Sequence, residues 1–225
     1  MKLGLKTVSF SKEDIMLVSR IMTKNVKTLS PEHTVKDALN MMNENKIRHI
    51  PIVENDEVTG LVTDKDINLA LPSILNKDSK TTIHHPLKDI MQTRVMFTSP
   101  RDFVEELAVD FLQFDIGAIV VIQSKKLVGI ITQTDIMHAF IDITGMNIPG
   151  SIIEIDVLDR PGIVYDIGKI LYDLNIKAVS ITIFDNKEKE GHKFVVIKVN
   201  AMNPMFVIKK LKETGYDVVD PMNRG

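Results

Sequence analysis

No cysteine occurs in the 225 residues. That excludes a disulfide framework, a thiolate metal site and a cysteine nucleophile, and it fits a reducing cytoplasm. No apolar run approaches the length that crosses a bilayer, so no membrane partner is expected. The opening residues "MKLGLKTVSFSKEDI" lack the apolar core of a signal peptide. An excess of one charge is missing too. Residues 1–150 carry 17 Lys and Arg against 19 Asp and Glu, and residues 151–225 carry 11 against 11, so neither part has the basic footprint of a nucleic-acid binder. There is no G-x-S-x-G elbow, Walker loop or kinase triplet. The histidines, His33, His49, His84, His85, His138 and His192, show no H-x-x-x-H spacing. The chain is therefore expected to have no catalytic residue, no metal and no cofactor.

What is present is a repeat. A shift of 69 positions aligns Ile21–Ile67 with Ile90–Ile136 without a gap, and 12 of the 47 positions are identical. They include Ile21 and Met22 against Ile90 and Met91, Ser30 and Pro31 against Ser99 and Pro100, and Gly60, Thr63 and Asp66 against Gly129, Thr132 and Asp135. An ungapped period of this length points to a duplicated module rather than a solenoid unit.

Both copies read alike. "VKTLS" is expected as a short strand ended by Pro31. Val35, Ala38, Leu39 and Met42 then mark one face of a helix, as do Val104, Leu107, Ala108 and Phe111. "HIPIVEND" and "EVTGLVT" follow as two strands joined by a polar, glycine-containing turn, matched by "AIVVIQSKKLVGIIT", and a helix begins at "TDKD". "NKDSKTTIHHP" reads as an exposed linker, and methionines such as Met41, Met42 and Met137 as core filler. From about Ser151 the order becomes β-α-β-β-α-β, that of a ferredoxin-like fold. Its last helix has Asn203 as cap and Gly215 at its end.

Thr-x-x-Asp where a strand turns into a helix is a capping box, and Thr34 with Asp37 show the same spacing at the first helix. It also suits a nucleotide. Free N–H groups at a helix start attract phosphate, a glycine lets a ligand approach the strand, and a carboxylate one turn on accepts from ribose hydroxyls.

On these residues the two copies resemble the halves of a CBS-domain pair, the Bateman module, whose G-h-x-T-x-x-D phrase (h apolar) is an adenosine-nucleotide signature. The resemblance implies nucleotide-binding residues Thr28, Arg48, His49, Ile50, Pro51, Gly60, Thr63, Lys65 and Asp66 in the first copy, and Gly129, Thr132 and Asp135 in the second. Arg48, His49 and Lys65 are replaced there by Gly117, Ala118 and Thr134, and Thr28 by Phe97. The first copy is thus expected to take the phosphorylated ligand, and the second to stay empty or hold a less charged adenosine compound. The tail resembles an ACT domain, whose loop signature appears as "DRPG", a candidate amino-acid loop of Asp159, Arg160, Pro161 and Gly162, or simply a turn. The module order is most similar to the acetoin-utilisation protein B family.

The expected layout is an N-terminal extension at 1–15, CBS repeat 1 at 16–78, linker and CBS repeat 2 at 79–147, and an ACT-like domain at 148–225. The extension is inferred because family-like residues begin straight after Met16 and "SKEDIM" can be encoded by a purine-rich run. The fold class is mixed, α/β and α+β. The expected function is that of a cytoplasmic, non-catalytic homodimer sensing AMP, ADP or ATP and regulating an enzyme partner in acetoin or related carbon metabolism. A ligand-free interaction scaffold and an amino-acid sensor working through the tail are the alternatives.

Overall fold

The structure, a computed structural model, describes residues 17–71 and 83–219. The expected extension at 1–15 and the middle of the linker lie outside the described residues. The chain divides into two compact units, residues 1–137 and 138–225.

The first unit holds both copies. Copy 1 contributes α1 (Val18–Ile21), α2 (Val35–Asn45), β1 (His49–Glu54), β2 (Glu57–Thr63) and α3 (Asp64–Ala70). Copy 2 contributes a 3₁₀ turn (Leu87–Asp89), β3 (Phe97–Thr98), α4 (Val104–Gln113), β4 (Ala118–Gln123), β5 (Lys126–Thr132) and α5 (Gln133–Thr144), the last running into the second unit. The helix faces read from the sequence are the buried ones. Val35, Ala38 and Met42 pack with Ile50, Ile52, Val62 and Ile67 in the core of copy 1, and Val104, Leu107 and Phe111 are buried on α4. Each of the larger apolar side chains among these contributes about 1.5–3 kcal/mol on leaving water.

Three expectations for this unit need correction. "VKTLS" does not form a strand: Leu29 makes a single parallel bridge to Ile52. In copy 2 the matching segment does form β3, parallel to β4. The difference lies in the partner strand. The Val120 N–H donates to the Met96 carbonyl at 3.0 Å, whereas the aligned residue is Pro51, which has no N–H to extend a ladder. Second, the hairpin turns contain no glycine. They are Asn55–Asp56 (φ 50° and 65°) and Ser124–Lys125 (φ 50° and 65°), left-handed pairs of the kind that match the twist of two-residue hairpins. Gly60 and Gly129 lie inside β2 and β5. Third, Met42 is core but Met137 is 60% exposed.

The copies are joined by reciprocal crossings. The leading segment of copy 1 pairs with copy 2: the N–H groups of Val18, Ser19 and Thr23 donate to the carbonyls of Asp102, Pro100 and Ile130 at 2.9–3.0 Å. The leading segment of copy 2 does the same to copy 1, with Leu87, Lys88 and Gln92 donating to His33, Pro31 and Leu61 at 2.7, 3.1 and 2.9 Å. All three pairs obey the 69-residue shift. Leu61, Ala118, Val120 and Ile130 form an apolar cluster drawn from both copies.

The second unit contains β6 (Ser151–Leu158), α6 (Ile163–Asp173), β7 (Ala178–Asp185), β8 (His192–Val199), α7 (Met205–Glu213) and β9 (Asp217–Val219). The four strands form an antiparallel sheet in the order β7-β8-β6-β9. Alternation decides which face is covered: Ile153, Ile155 and Val157 of β6 are buried with Ile163, Ile167, Ile170 and Leu171 of α6 and Val207 and Leu211 of α7, while Ile152 and Leu158 stay exposed. The N-cap of α7 is Pro204 rather than Asn203; Asn203 lies one residue earlier, its Oδ1 accepting from the Met205 N–H at 3.0 Å.

Candidate functional site

The three Thr-x-x-Asp phrases that open helices share one geometry. At Thr34/Asp37, Thr63/Asp66 and Thr132/Asp135 the Thr N–H donates to Asp Oδ2 at 2.8, 2.9 and 2.7 Å, and the Thr hydroxyl donates to the same oxygen at 2.7 Å. The Asp N–H donates back to Thr Oγ1 at 3.3, 3.2 and 3.4 Å. All three are closed capping boxes, so the geometry of the box alone does not mark a ligand site.

The surroundings differ. His49 stands opposite Thr63 in the β1–β2 register, and the Asp64 N–H donates to the Arg48 carbonyl at 3.1 Å. Strand pairing and helix start therefore bring Arg48, His49, Thr63, Lys65 and Asp66 to one end of the hairpin. Arg48 and Lys65 are exposed, and His49 is partly buried. Burial holds the His49 imidazole below its ordinary pKa of 6.5, with Asp64 and Asp66 opposing and the Arg48 charge reinforcing. The ring reaches across to copy 2. A Cβ on Gly117 would lie 2.5 Å from His49 Nε2, so the imidazole occupies space that only glycine leaves free at that position.

Gln92 was missed by sequence reasoning. Its Nε2 donates to Asp66 Oδ1 at 2.9 Å, which engages the carboxylate oxygen that Thr63 leaves free. At Asp135 the aligned position is Thr23, and among the described residues only Thr132 bonds the carboxylate. The single clue was that Thr23 and Gln92 each follow the repeated Ile-Met pair; that this pair crosses to the other copy was not legible.

Other predicted residues fall elsewhere. Thr28 is partly buried beside Leu29, whose N–H donates to the Pro51 carbonyl at 3.3 Å. Ile50 is fully buried in the core of copy 1, and Pro51 is buried on β1. The space beside Gly60 is filled by the protein itself. A Cβ there would meet Met91 Sδ at 2.6 Å and the Gln92 carbonyl at 3.1 Å, and one on Gly129 would meet Met22 Sδ at 2.5 Å and the Thr23 carbonyl at 3.2 Å. These two glycines admit the crossing segments. In the tail, Asp159, Arg160, Pro161 and Gly162 precede α6, and Arg160 is drawn onto Asp166 (Nη2 to Oδ2, 2.7 Å), so its guanidinium is already paired. Among the described residues no group of three His, Asp or Glu side chains gathers as a metal site, and no helix is long and apolar enough to cross a membrane.

Paired β-hairpin and helix modules, each with a capped strand-to-helix junction and closed on each other by crossed leading segments, define a tandem-repeat module. The CBS-domain profile matches residues 18–73 and 87–142, and the chain belongs to the CBS-domain family. A crystal structure of a candidate acetoin utilization protein (AcuB) from Vibrio cholerae is similar at 30% identity and TM-score 0.52, over 59% of this chain and 96% of that one. CBSX2, solved in complex with AMP, shares the fold at 24% identity and TM-score 0.50, over 57% of this chain and 98% of that one. A homoserine O-acetyltransferase of Methanobrevibacter ruminantium is 33% identical over 124 residues, 54% of this chain but only 24% of the enzyme. The chain thus spans about a quarter of that relative's length.

Proposed function

We propose that the protein is a non-catalytic regulator in which the copy-1 end of the CBS pair binds an adenine nucleotide: AMP, ADP or ATP. The observation that carries this is that strand register and helix start place Arg48, His49 and Lys65 next to the Thr63–Asp66 junction along the backbone. Two exposed cations suit a phosphate, and a ribose diol can exchange with Gln92 on the Asp66 carboxylate. Copy 2 has the carboxylate without the cations, which suits a less charged adenosine compound or none. The AMP complex of CBSX2 supports the ligand class, and the AcuB relative supports a role in acetoin or related carbon metabolism through an enzyme partner in the cytoplasm. The repeats extend over 16–78 and 79–147, after an extension at 1–15. Residues 148–225, in their β-α-β-β-α-β order, act as an ACT-like dimerisation domain. Ligand binding regulates only if it favours one arrangement of the pair over another.

A second reading, a ligand-free scaffold, draws on the identity of the Thr63/Asp66 box with the Thr34/Asp37 box and on Met91 filling the space at Gly60. Thermal shift separates the two. A nucleotide at a hundred times its Kd adds about 2.7 kcal/mol to native stability. Asp66→Ala should abolish that increment, Asp135→Ala should reduce it less, and Asp37→Ala should lower only the baseline, by about 1 kcal/mol for the lost cap. If no adenine nucleotide shifts the wild type, or Asp66→Ala keeps the full increment, the scaffold reading stands.

A further inference from the structure

The two strand-to-helix junctions share a backbone and differ in what faces the carboxylate. In each copy the residue after the crossing Ile-Met pair is held to the other copy by two backbone hydrogen bonds: Gln92 to Leu61 of β2 at 2.9 Å each, and Thr23 to Ile130 of β5 at 2.9 and 3.0 Å. Only the side chain changes. The Gln92 amide reaches the capping aspartate of copy 1, its Nε2 lying 2.9 Å from Asp66 Oδ1 and 3.1 Å from Oδ2. The Thr23 hydroxyl makes no such bond: among the described residues Thr132 alone bonds the Asp135 carboxylate.

The acceptor positions on Asp66 are nearly spoken for. Oδ2 takes the Thr63 N–H at 2.9 Å and the Thr63 hydroxyl at 2.7 Å, which leaves Oδ1 as the oxygen for a ligand, and Gln92 stands on it. Its NH2 group bridges both oxygens, as the two hydroxyls of a ribose would. Gln92 itself is exposed and Asp66 half-buried, so the amide covers the carboxylate from the solvent side and is free to turn away into water.

We propose that Gln92 is a built-in competitor for the ribose position of copy 1: its amide holds Asp66 in the free protein, and a nucleotide binds only when that amide has turned away. The proposal rests on the nucleotide reading of the Thr63–Asp66 junction and adds a regulatory residue to it. Apparent affinity is then the intrinsic affinity scaled by the fraction of molecules whose amide is off. A single intramolecular hydrogen bond exchanging with water sets this penalty at about 2- to 10-fold in Kd. The competitor meets the sugar, so one factor applies to every adenine nucleotide, whereas exposed Arg48 and Lys65 favour the more highly charged ones. Copy 2 has neither device. The displaced side chain belongs to the leading segment of copy 2, so occupancy of one copy is registered first by a residue of the other.

The test is Gln92→Thr in the full-length chain, which gives copy 1 the residue that copy 2 already carries on the same backbone. Asp135→Ala is included in both proteins compared, to confine the measurement to copy 1, and far-UV circular dichroism verifies folding. AMP, ADP and ATP are titrated by calorimetry. Each nucleotide that binds the parent should bind Gln92→Thr about 2- to 10-fold more tightly, by the same factor for all. A residue that only braced the helix cap would give the opposite sign, because its loss would loosen Asp66 and weaken binding. The second readout needs no substitution at the site. In an amide proton–nitrogen correlation spectrum of the wild type, the side-chain signals of Gln92, assigned as the pair missing from Gln92→Thr, should move when the nucleotide saturates the protein. Equal or weaker binding by Gln92→Thr, a gain that differs between nucleotides, or side-chain signals that stay in place at saturation would overturn the proposal and leave the nucleotide reading standing. If none of the three binds either protein, the nucleotide reading fails and the competitor falls with it.

Discussion

Gly60→Ala tests the crossed packing most directly. The new methyl would lie 2.6 Å from Met91 Sδ, 3.0 Å from Met91 Cγ and 3.1 Å from the Gln92 carbonyl oxygen. The last cannot yield without disturbing the Leu61–Gln92 bridge, whose two backbone hydrogen bonds are each 2.9 Å. Overpacking of this kind costs about 1–3 kcal/mol. Against it, replacing glycine in ordinary extended backbone stiffens the unfolded chain and returns about 0.4–1 kcal/mol. The net expectation is a loss of about 1–2 kcal/mol, or a urea midpoint lower by roughly 0.5–1 M. The sequence supplies a convenient assay. There is no tryptophan, and all three tyrosines (Tyr165, Tyr172, Tyr216) lie in the tail, so tyrosine fluorescence follows the tail while circular dichroism follows the whole chain. The midpoint should fall in circular dichroism and hold in fluorescence. Met91→Ala should then be coupled to Gly60→Ala, with a double-mutant interaction energy of about 1–2 kcal/mol. A Gly60→Ala protein as stable as wild type, or more so, would refute this reasoning and return the glycine to the role of admitting a ligand.

Three further outcomes are expected. The partial burial that lowers the His49 pKa makes stability fall as pH drops below about 6.5, because the unfolded chain then binds more protons than the folded one; His49→Gln should flatten that part of the urea-midpoint profile. In the tail, burial pushes the Asp156 carboxyl up, yet hydrogen bonds from Lys189, Asn186 and His192 at 3.0–3.2 Å outweigh it and hold its pKa below the ordinary value. Asp156→Ala strands the part-buried Asn186 and His192 donors, Lys189 returning to water, and should cost about 1–3 kcal/mol in the tyrosine transition. Finally, residues 150–225 expressed alone should self-associate in sedimentation through the β7 edge, where Ile183 and Phe184 are 41% and 47% exposed; a monomer at every concentration would remove the idea.

Local chemistry was legible in the sequence and non-local partnership was not. Period-3.6 apolar positions located α2 and α4, apolar runs either side of a polar turn located β1 and β2, alternation located β6, and the Thr-x-x-Asp spacing located three caps. Each depends on residues within a turn or two of one another. The strand status of "VKTLS" depended on whether its neighbour could donate, and Pro51 cannot, a fact visible only once the pairing is known. Gly60 was read as facing a ligand because its true neighbour, Met91, lies 31 positions away in the other copy. Gln92 at Asp66 and His49 at Gly117 escaped for the same reason. The repeat implied that the copies correspond without saying that they exchange segments.

That exchange shapes how the chain leaves the ribosome. Thr23 is made early, but its bridge partner Ile130 is 107 positions later. At typical synthesis rates that is a wait of roughly 5–20 seconds. Throughout it the apolar start of copy 1 has no strand to join, and the edge of β2 stays open until Gln92 arrives. Contacts of such sequence separation also form slowly after release. Nascent chains of this protein should therefore present a long-lived holdase site at Val18–Thr23, one that disappears only when the last strand of copy 2 is complete.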